Sequence, residues 1–252
     1  MSTVTSADNP KYKQLKKLAH SGRERRKLRQ TLIDGLHLLE ACAEAQLAPA
    51  LLVLREATSL APDGFTATPR LTLSPALFDA IAPVEHPSGV LALLDLPPAR
   101  EGARQFCVLL EEVQDPGNLG ALLRTAAAAG VDSVYLSKGC AEAWSPKAMR
   151  AGMGAQFRLA IHEHSDLPLV ARSLSGVVVA TSLEGTSSLY DLALSGRVAF
   201  IFGNEGAGVS AELLDCATHR VRIPMPGKVE SLNVAAAAAV CLFERVRQHP
   251  AR

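Results

Sequence analysis

The main constraint on the fold is an alternation of short apolar segments with helical patterns from residue 106 to residue 247. The apolar segments are as short as buried strands, and the segments between them repeat apolar residues at helical spacing. Alternation of this kind is typical of a parallel sheet that is covered by helices on both faces. We therefore predict an α/β fold with a mostly parallel sheet. The predicted strands are 106–110, 134–136, 159–162, 177–180, 198–202 and 221–223, and the predicted helices are 118–129, 146–152, 166–174, 210–216 and 231–247.

The N-terminal part of the chain predicts a second, smaller α/β domain. A basic helical segment at 9–29, interrupted at Ser21-Gly22, is followed by a helix at 35–46 and by strands at 31–33, 51–54, 71–73 and 90–94. The segment 96–102 then combines prolines with charges, as linkers do. The predicted domains are therefore 1–97 and 105–252.

The net charge of +1 conceals an uneven distribution. Residues 1–30 contain nine basic and two acidic side chains, a charge of +7, which leaves −6 for the rest of the chain. This asymmetry predicts a basic surface that contacts phosphate, although basic clusters are also typical of a solvated helix face. Charge alone leaves both interpretations open.

The composition argues against a membrane protein and against a disulfide-stabilised one. The longest apolar run, 234–243, has ten residues, whereas a membrane-spanning helix needs about 20. No apolar signal segment precedes the first helix, so we expect a cytoplasmic protein without a membrane partner. The five cysteines lie far apart and predict buried thiols. His162 and His164 would share one face of a strand, but two ligands alone do not predict a metal site.

Ligands of parallel α/β sheets bind beyond the carboxyl ends of the strands, where three loops of this chain carry polar residues. The first loop, 111–120, leads into a helix in which Arg124 is the only cation. An arginine at this edge is suited to hold a phosphate by two parallel hydrogen bonds. Asn118 occupies the predicted start of that helix, so it is either an N-cap or a functional residue.

The other two loops are rich in glycine or proline. The loop 203–208 has three glycines around Glu205, which either admit a ligand close to the backbone or form only a tight turn. Their order differs from the GxGxxG fingerprint of dinucleotide-binding folds. In the loop 223–233, Ser231 and Asn233 are N-caps or functional residues. The alanine run that follows favours close packing against another segment or another subunit.

In this order, the three loops resemble the signature motifs of the SpoU, or TrmH-like, branch of the SPOUT RNA 2'-O-ribose methyltransferases. The matching residues are DPGNLGALLRTAAAAG (115–130), FIFGNEGAGVS (200–210) and IPMPGKVESLNVAAAAAV (223–240). The N-terminal part is similar to the substrate-binding domain of the family's ribosomal RNA members, which itself resembles a small ribosomal protein. That similarity is carried by NPKYKQLKKL (9–18), IDGLHLLEAC (33–42) and HPSGVLAL (86–93).

The resemblance implies a particular fold, cofactor and assembly. The C-terminal domain would contain a deep trefoil knot that binds S-adenosylmethionine, and a homodimer partner would complete the site. The implied cofactor-binding residues are Gly203, Ile223, Met225 and Leu232. The implied catalytic residues are Arg124, Asn118, Glu205, Ser231 and Asn233, with Arg124 acting as a base or as an electrostatic stabiliser. The chain departs from the family pattern at Ala235, where serine is common, and at Ser88, where glutamine is common.

The implied reaction is transfer of a methyl group from S-adenosylmethionine to a ribose 2'-hydroxyl of RNA. The two-domain organisation favours large-subunit ribosomal RNA as the target. Transfer RNA is the nearest alternative, and a catalytically silent RNA-binding factor in ribosome assembly is an alternative of another class. The presence of Arg124 together with Asn118 argues against a silent factor. No metal is expected to take part.

Overall fold

The computed structural model describes residues 3–58, 64–84, 86–98, 100–227 and 229–249. The chain forms two compact units, which we call the N-terminal and the C-terminal unit. The N-terminal unit comprises Met1–Pro98 and Trp144–Phe157, and the C-terminal unit comprises Ala99–Ala143 and Arg158–Arg252. The segment Trp144–Phe157 therefore packs with the N-terminal unit, although the sequence pattern assigns it to the C-terminal domain.

Most of the predicted helices and strands are present within a few residues of their predicted bounds. The helices are α1 (Pro10–His20), α2 (Gly22–Leu28), α3 (Leu36–Glu44), α4 (Pro75–Asp79), α5 (Pro116–Ala128), α6 (Pro146–Gly152), α7 (Leu167–Ser173), α8 (Ala211–Leu214) and α9 (Val234–Gln248). The strands are β1 (Gln30–Asp34), β2 (Leu51–Arg55), β3 (Arg70–Leu73), β4 (Val90–Asp95), β5 (Phe106–Leu110), β6 (Ser133–Leu136), β7 (Ala160–His162), β8 (Val177–Thr181), β9 (Ser187–Ser188), β10 (Val198–Phe202) and β11 (His219–Arg222). Helix α4 and strand β9 were not predicted, and α5 begins two residues before, and α9 three residues after, the predicted start.

The sheet of the N-terminal unit has the strand order β1-β4-β2-β3. Strand β4 is antiparallel to β1 and β2, and β3 is parallel to β2. Because successive strand residues point to opposite faces, the sheet separates two apolar clusters. One contains Leu15 of α1 and Phe78 of α4, and the other contains Leu39 of α3 together with Met149 and Phe157. The threonine hydroxyl of Thr31 also donates a hydrogen bond to the Trp144 carbonyl at 2.6 Å, so α6 is an integral part of this unit.

Helices α1 and α2 are held together by one buried basic residue. The predicted break at Ser21-Gly22 is confirmed, because Ser21 ends α1 and its hydroxyl accepts a hydrogen bond from the Glu24 N–H at 3.3 Å, which starts α2. Arg25 is buried, and its Nη1 donates to the Leu18 carbonyl at 2.6 Å near the end of α1. The other basic residues of this segment are exposed, namely Lys11, Lys13, Lys16, Lys17, Arg23, Arg26, Lys27 and Arg29.

The sheet of the C-terminal unit confirms the predicted parallel architecture. Its seven strands have the order β7-β6-β5-β10-β8-β11-β9, and every pair is parallel. Strands β5 and β10 are neighbours at its centre, with Val198 opposite Phe106. The loops that follow β5 and β10 therefore leave the same edge of the sheet side by side. On one face, α9 packs against α5 through its small and apolar side chains.

The cysteines are only partly as predicted. All five are free, and Cys42, Cys107 and Cys241 are buried, whereas Cys140 and Cys216 are partly exposed. Burial raises the pKa of Cys107 and Cys241 to about 12, so both are protonated at neutral pH. Within the described ranges, none of the helices is long and apolar enough to cross a membrane.

Glu244 anchors the end of α9. Its carboxylate accepts hydrogen bonds from Arg247 Nε, Arg247 Nη2 and Gln248 Nε2, each at 2.8 Å. Gln248 also donates to the Leu192 carbonyl at 3.0 Å and accepts from the Leu194 N–H at 2.8 Å. These bonds, chiefly those from Arg247, lower the pKa of the buried Glu244 carboxyl to about 2. The ionised carboxylate therefore stabilises the contact between α9 and the segment that precedes β10.

Replacing Glu244 with glutamine should lower the free energy of unfolding at pH 7 by about 1–3 kcal/mol, because bonds to a charged acceptor are lost. The pKa of this carboxyl is about 2 in the folded protein, below the ordinary value of about 4.3 for a glutamate in an unfolded chain. The stabilisation is thus complete above roughly pH 5 and is lost as the pH falls towards 2. Urea denaturation at pH 7 and at pH 3 measures the difference between the two proteins, which should shrink at pH 3. An equal difference at both pH values would contradict a role for the charge.

Candidate active site

A cavity of about 570 Å³ opens at the carboxyl edge of the parallel sheet in the C-terminal unit. It lies between the loops that follow β8, β10 and β11 and the first turn of α9. All four predicted cofactor-binding residues line it, namely Gly203, Ile223, Met225 and Leu232. Glu205 and Ser231, two of the predicted catalytic residues, also line it. The structure therefore brings together side chains from two of the three loops that the sequence analysis selected.

The loop after β10 folds back on itself around Asn204. The Asn204 N–H donates to the Gly208 carbonyl at 3.0 Å, and the Gly208 N–H donates to the Asn204 carbonyl at 2.9 Å. Asn204 Oδ1 accepts from the N–H groups of Gly206 and Ala207 at 2.9 and 3.0 Å. This turn presses the backbone of Gly208 and Val209 against Gly203, where a β-carbon would overlap the Gly208 carbonyl. Glycine is therefore required at 203, and the tight turn leaves the cavity open beside it.

Three predicted catalytic residues form a directed chain of hydrogen bonds at the cavity. Asn233 Oδ1 accepts from the N–H groups of Ala235 and Ala236 at the start of α9, at 2.9 and 3.4 Å. The Asn233 amide nitrogen therefore donates to Asn118 Oδ1 at 2.9 Å, and the Asn118 amide nitrogen donates to Glu205 Oε1 at 2.9 Å. The chain of bonds fixes the orientation of both amides and holds one oxygen of the Glu205 carboxylate, while Glu205 remains exposed to the cavity.

The N-cap of α5 is Asp115 and not Asn118, which corrects one of the two interpretations left open by the sequence. Asp115 Oδ1 accepts from the Asn118 N–H at 2.8 Å, and Pro116 occupies the first helical turn. A carboxylate followed by proline is a strong helix start, so the helix begins two residues earlier than predicted. The Asn118 side chain is therefore free to bond Glu205 and Asn233. Asn233, by contrast, is both the N-cap of α9 and a member of this chain of bonds.

Arg124 lies away from the cavity that its own chain forms. At 3.6 residues per turn it lies roughly 120° around α5 from Asn118, and it does not line the cavity. Its side chain is exposed and makes no hydrogen bond or ion pair with any residue in the described ranges. The guanidinium is therefore available to a group outside this chain.

The sequence analysis missed two other parts of the site. The segment 182–184, directly after β8, lines the cavity and includes Leu183, which is 64% exposed. Its position after a predicted strand at the same sheet edge was the signal that could have found it. Glu111 was also missed, and its carboxylate accepts from the N–H and the hydroxyl of Ser210 at 2.7 and 2.6 Å. This pair ties the loop after β5 to the loop after β10.

The histidine pair considered as metal ligands does not share a strand face. Strand β7 ends at His162, whose ring stacks on Tyr135 with a centroid distance of 4.7 Å, and His164 lies beyond it with a φ of 57°. Across the ranges that the structure describes, no group of three or more histidine, cysteine or acidic side chains is arranged to hold a metal ion.

Comparison with known proteins defines the class. Residues 105–243 match the SpoU rRNA Methylase family, and residues 9–92 match the MRM3-like substrate binding domain. The chain therefore belongs to the SpoU rRNA methylase family. One relative is the 23S rRNA (guanosine(2553)-2'-O)-methyltransferase RlmP of Bacillus subtilis, which is 35% identical over 246 residues that cover 96% of this chain and 98% of the relative.

Two solved structures with bound AdoMet are similar over nearly the whole chain. The SpoU methyltransferase AviRb from Streptomyces viridochromogenes is 26% identical, with a TM-score of 0.81 and coverage of 95% of this chain and 98% of AviRb. An rRNA methyltransferase from Sinorhizobium meliloti is 28% identical, with a TM-score of 0.81 and coverage of 99% of both chains.

Proposed function

We propose that this protein transfers a methyl group from S-adenosylmethionine to a ribose 2'-hydroxyl of large-subunit ribosomal RNA. The observation that carries the proposal is one cavity lined by all four predicted cofactor residues, with the bonds between Asn233, Asn118 and Glu205 at its rim. The relatives support the same reaction, since RlmP is named as a 23S rRNA 2'-O-methyltransferase.

The cavity suits S-adenosylmethionine in size and in chemistry. Its volume of about 570 Å³ falls within the range of about 300–1,000 Å³ that is common for ligand sites. Ile223, Met225 and Leu232 would supply apolar contacts to the cofactor, and Gly203 would let it approach the backbone closely. When bound there, S-adenosylmethionine supplies an electrophilic methyl group.

The protein's contribution to the reaction would be alignment and electrostatic stabilisation. The ribose hydroxyl must be placed in line with the methyl group and must lose its proton. Arg124 would hold the phosphate next to the ribose and stabilise the negative charge that develops on the 2' oxygen. It would not remove the proton, because a guanidinium stays protonated in proteins, and the proton would pass to solvent water at the exposed rim of the site. Asn118 and Asn233 would orient Glu205, and Ser231 would contact the cofactor or the target nucleotide.

We extend the proposal to a homodimer with a deep trefoil knot in residues 105–252. The position of Arg124 supports a second copy, because Arg124 is exposed and lies away from the cavity of its own chain. Arg124 of the partner subunit would then complete each site. The knot is supported by the alanine-rich start of α9, which permits the close packing that threading a helix through a loop requires. The cytoplasm, where ribosomal RNA would be met, is the proposed location.

The N-terminal residues 1–97 would bind the RNA. Arg25 and the apolar face of α1 are buried, so the other basic side chains of α1 and α2 face outward. Such a surface is suited to the phosphate backbone. A substrate-binding unit in front of the methyltransferase domain favours ribosomal RNA over the smaller transfer RNA.

The reaction is tested by incubating the protein with S-adenosylmethionine carrying a labelled methyl group and with total RNA. We expect label in large-subunit ribosomal RNA, on a ribose that then resists alkaline cleavage. Label only in transfer RNA would correct the substrate. RNA binding without label would indicate the silent assembly factor, and absence of cofactor binding would overturn the enzymatic proposal.

A further inference from the structure

A second cavity, of about 500 Å³, lies wholly within the N-terminal unit. It is an open cleft bordered by the end of β2, the helix α4 and residues 86–89 before β4. Its lining is mainly charged or hydroxyl-bearing and includes Arg55, Glu56, Thr58, Asp79, His86 and Ser88. A concave site with both donors and acceptors fits a polar ligand that makes several hydrogen bonds, and it does not fit an apolar one.

The arginine in this cavity is oriented in advance. Arg55 Nε donates to Asp79 Oδ1 at 2.9 Å, and Arg55 Nη2 donates to Asp79 Oδ2 at 3.1 Å. This pair uses two of the five N–H groups of the guanidinium, so the others can reach a ligand. The side chains of Arg55 and Asp79 are 38% and 44% exposed, and the hydrogen bonds that Arg55 donates to Asp79 raise the pKa of Arg55. Arg55 is therefore a fixed cation with unused donors.

Ser88 and Gly89, on the other side of the cavity, are also held in place. Gly89 has a φ of +92°, and a β-carbon there would approach Thr58 Oγ1 to 2.8 Å. The Gly89 carbonyl accepts a hydrogen bond from the backbone N–H of Arg55 at 2.9 Å, and the Ser88 hydroxyl donates to Asp34 Oδ1 at 3.3 Å. In a preformed site, little free energy is lost in ordering side chains and loops when the ligand binds.

The cavity lies at the same end of the unit as the turn between α1 and α2. The His20 ring at the end of α1 is within hydrogen-bond distance of the Ala80 carbonyl, at 3.1 Å, and Ala80 follows Asp79. The exposed cations Lys17 and Arg23 flank this turn. Phosphates that continue from a nucleotide in the cavity would therefore meet basic side chains.

We infer that this cavity binds one unstacked nucleotide of the RNA, separate from the nucleotide that is methylated. The inference rests on the proposed function, which supplies RNA as the substrate. Bases in an RNA helix are poorly accessible, whereas bases in loops and bulges are recognised by hydrogen bonds to their edges. Arg55 would bond the base through the N–H groups that Asp79 does not use, and His86 would face its phosphate. The target RNA would thus be selected in part by a loop nucleotide outside the methylation site.

The test uses the full chain, an unmodified transcript that contains the methylated site, and the double variant Arg55→Ala/His86→Ala. The double variant should fold, because exposed ion pairs such as that of Arg55 with Asp79 add little to stability. If it does not fold, the single variant His86→Ala, which keeps this ion pair, is used in its place. We expect the Kd and KM for the transcript to rise about tenfold or more, while kcat at saturating RNA stays within about twofold. Arg70→Ala is the matched control, because Arg70 belongs to the same unit and does not line the cavity.

Crosslinking from the cavity locates the nucleotide. In the wild type, one loop nucleotide away from the methylated ribose should crosslink, and the double variant should lose that crosslink. An unchanged Kd and KM in the double variant would overturn the inference while leaving the proposed function intact. Tight binding of free AMP or GMP that does not compete with the transcript would also overturn it, in favour of a free nucleotide. A wild-type chain that neither binds nor methylates RNA would overturn both proposals.

Discussion

Replacing Arg124 with alanine should lower the rate of methyl transfer by about 100-fold or more, which is typical for loss of a group that stabilises transition-state charge. The affinity for S-adenosylmethionine should stay within about twofold, because Arg124 does not line the cofactor cavity. Single-turnover methylation and calorimetric titration with the cofactor measure the two quantities. The matched control is Arg172→Ala, which removes another exposed arginine from the same unit. Lost cofactor binding in Arg124→Ala would assign this arginine to the cofactor site instead.

Mixing two inactive variants tests whether Arg124 acts across a dimer. Arg124→Ala lacks the arginine, and Gly203→Val lacks an open cavity. If each cavity uses Arg124 of the partner subunit, mixed dimers contain one complete site. Refolding the two variants together should then restore up to about a quarter of the wild-type activity, since about half of the dimers are mixed. No recovery would show that the arginine acts within its own chain.

Replacing Gly203 with alanine should weaken S-adenosylmethionine binding by about 100-fold or more, because the backbone that forms one wall of the cavity would be displaced. The added β-carbon would overlap the carbonyl of Gly208, so the turn after β10 must shift and the cavity must change shape. Methyl transfer should fall in parallel, because the loop also carries Glu205. Cofactor titration and a thermal melt of the same sample measure the effect and separate it from unfolding.

The neighbouring glycine provides the control for this substitution. At Gly206 a β-carbon would meet only Asn204 Oδ1 at 3.5 Å, an ordinary contact. Gly206→Ala should therefore bind the cofactor within about twofold of the wild type. Normal cofactor binding by Gly203→Ala would show that the turn is only a structural connection.

The main features of the fold could be predicted because its signals are local. A buried parallel strand is a short apolar run, and the helices between the strands repeat their apolar residues at 3.6-residue spacing. The elements that were missed are too short to show a period, since α4 has five residues and β9 has two. The start of α5 was recoverable, because Asp115 and Pro116 are the residue types that favour a helix N-terminus.

The candidate site was predictable as a set of residues but not as an arrangement. Asn118 and Asn233 are 115 residues apart, and each was equally consistent with an N-cap. Only the structure shows that Asp115 caps α5 and that the Asn118 amide is left to bond Glu205. In the same way, the periodicity of 146–152 predicts a helix but does not say which of two sheets it covers.

The placement of Trp144–Phe157 limits how far the two halves can be treated as interchangeable modules. This segment lies in the middle of the methyltransferase sequence, yet Met149 and Phe157 complete an apolar cluster of the N-terminal unit. A fragment ending at residue 97 would expose Leu39 and its neighbours to water, and a fragment starting at residue 105 would carry an orphaned apolar helix. Recombination or gene fission between the halves would therefore have to repair both surfaces at once. Separating the two halves of this chain would therefore disrupt the apolar cluster that Leu39 shares with Met149 and Phe157.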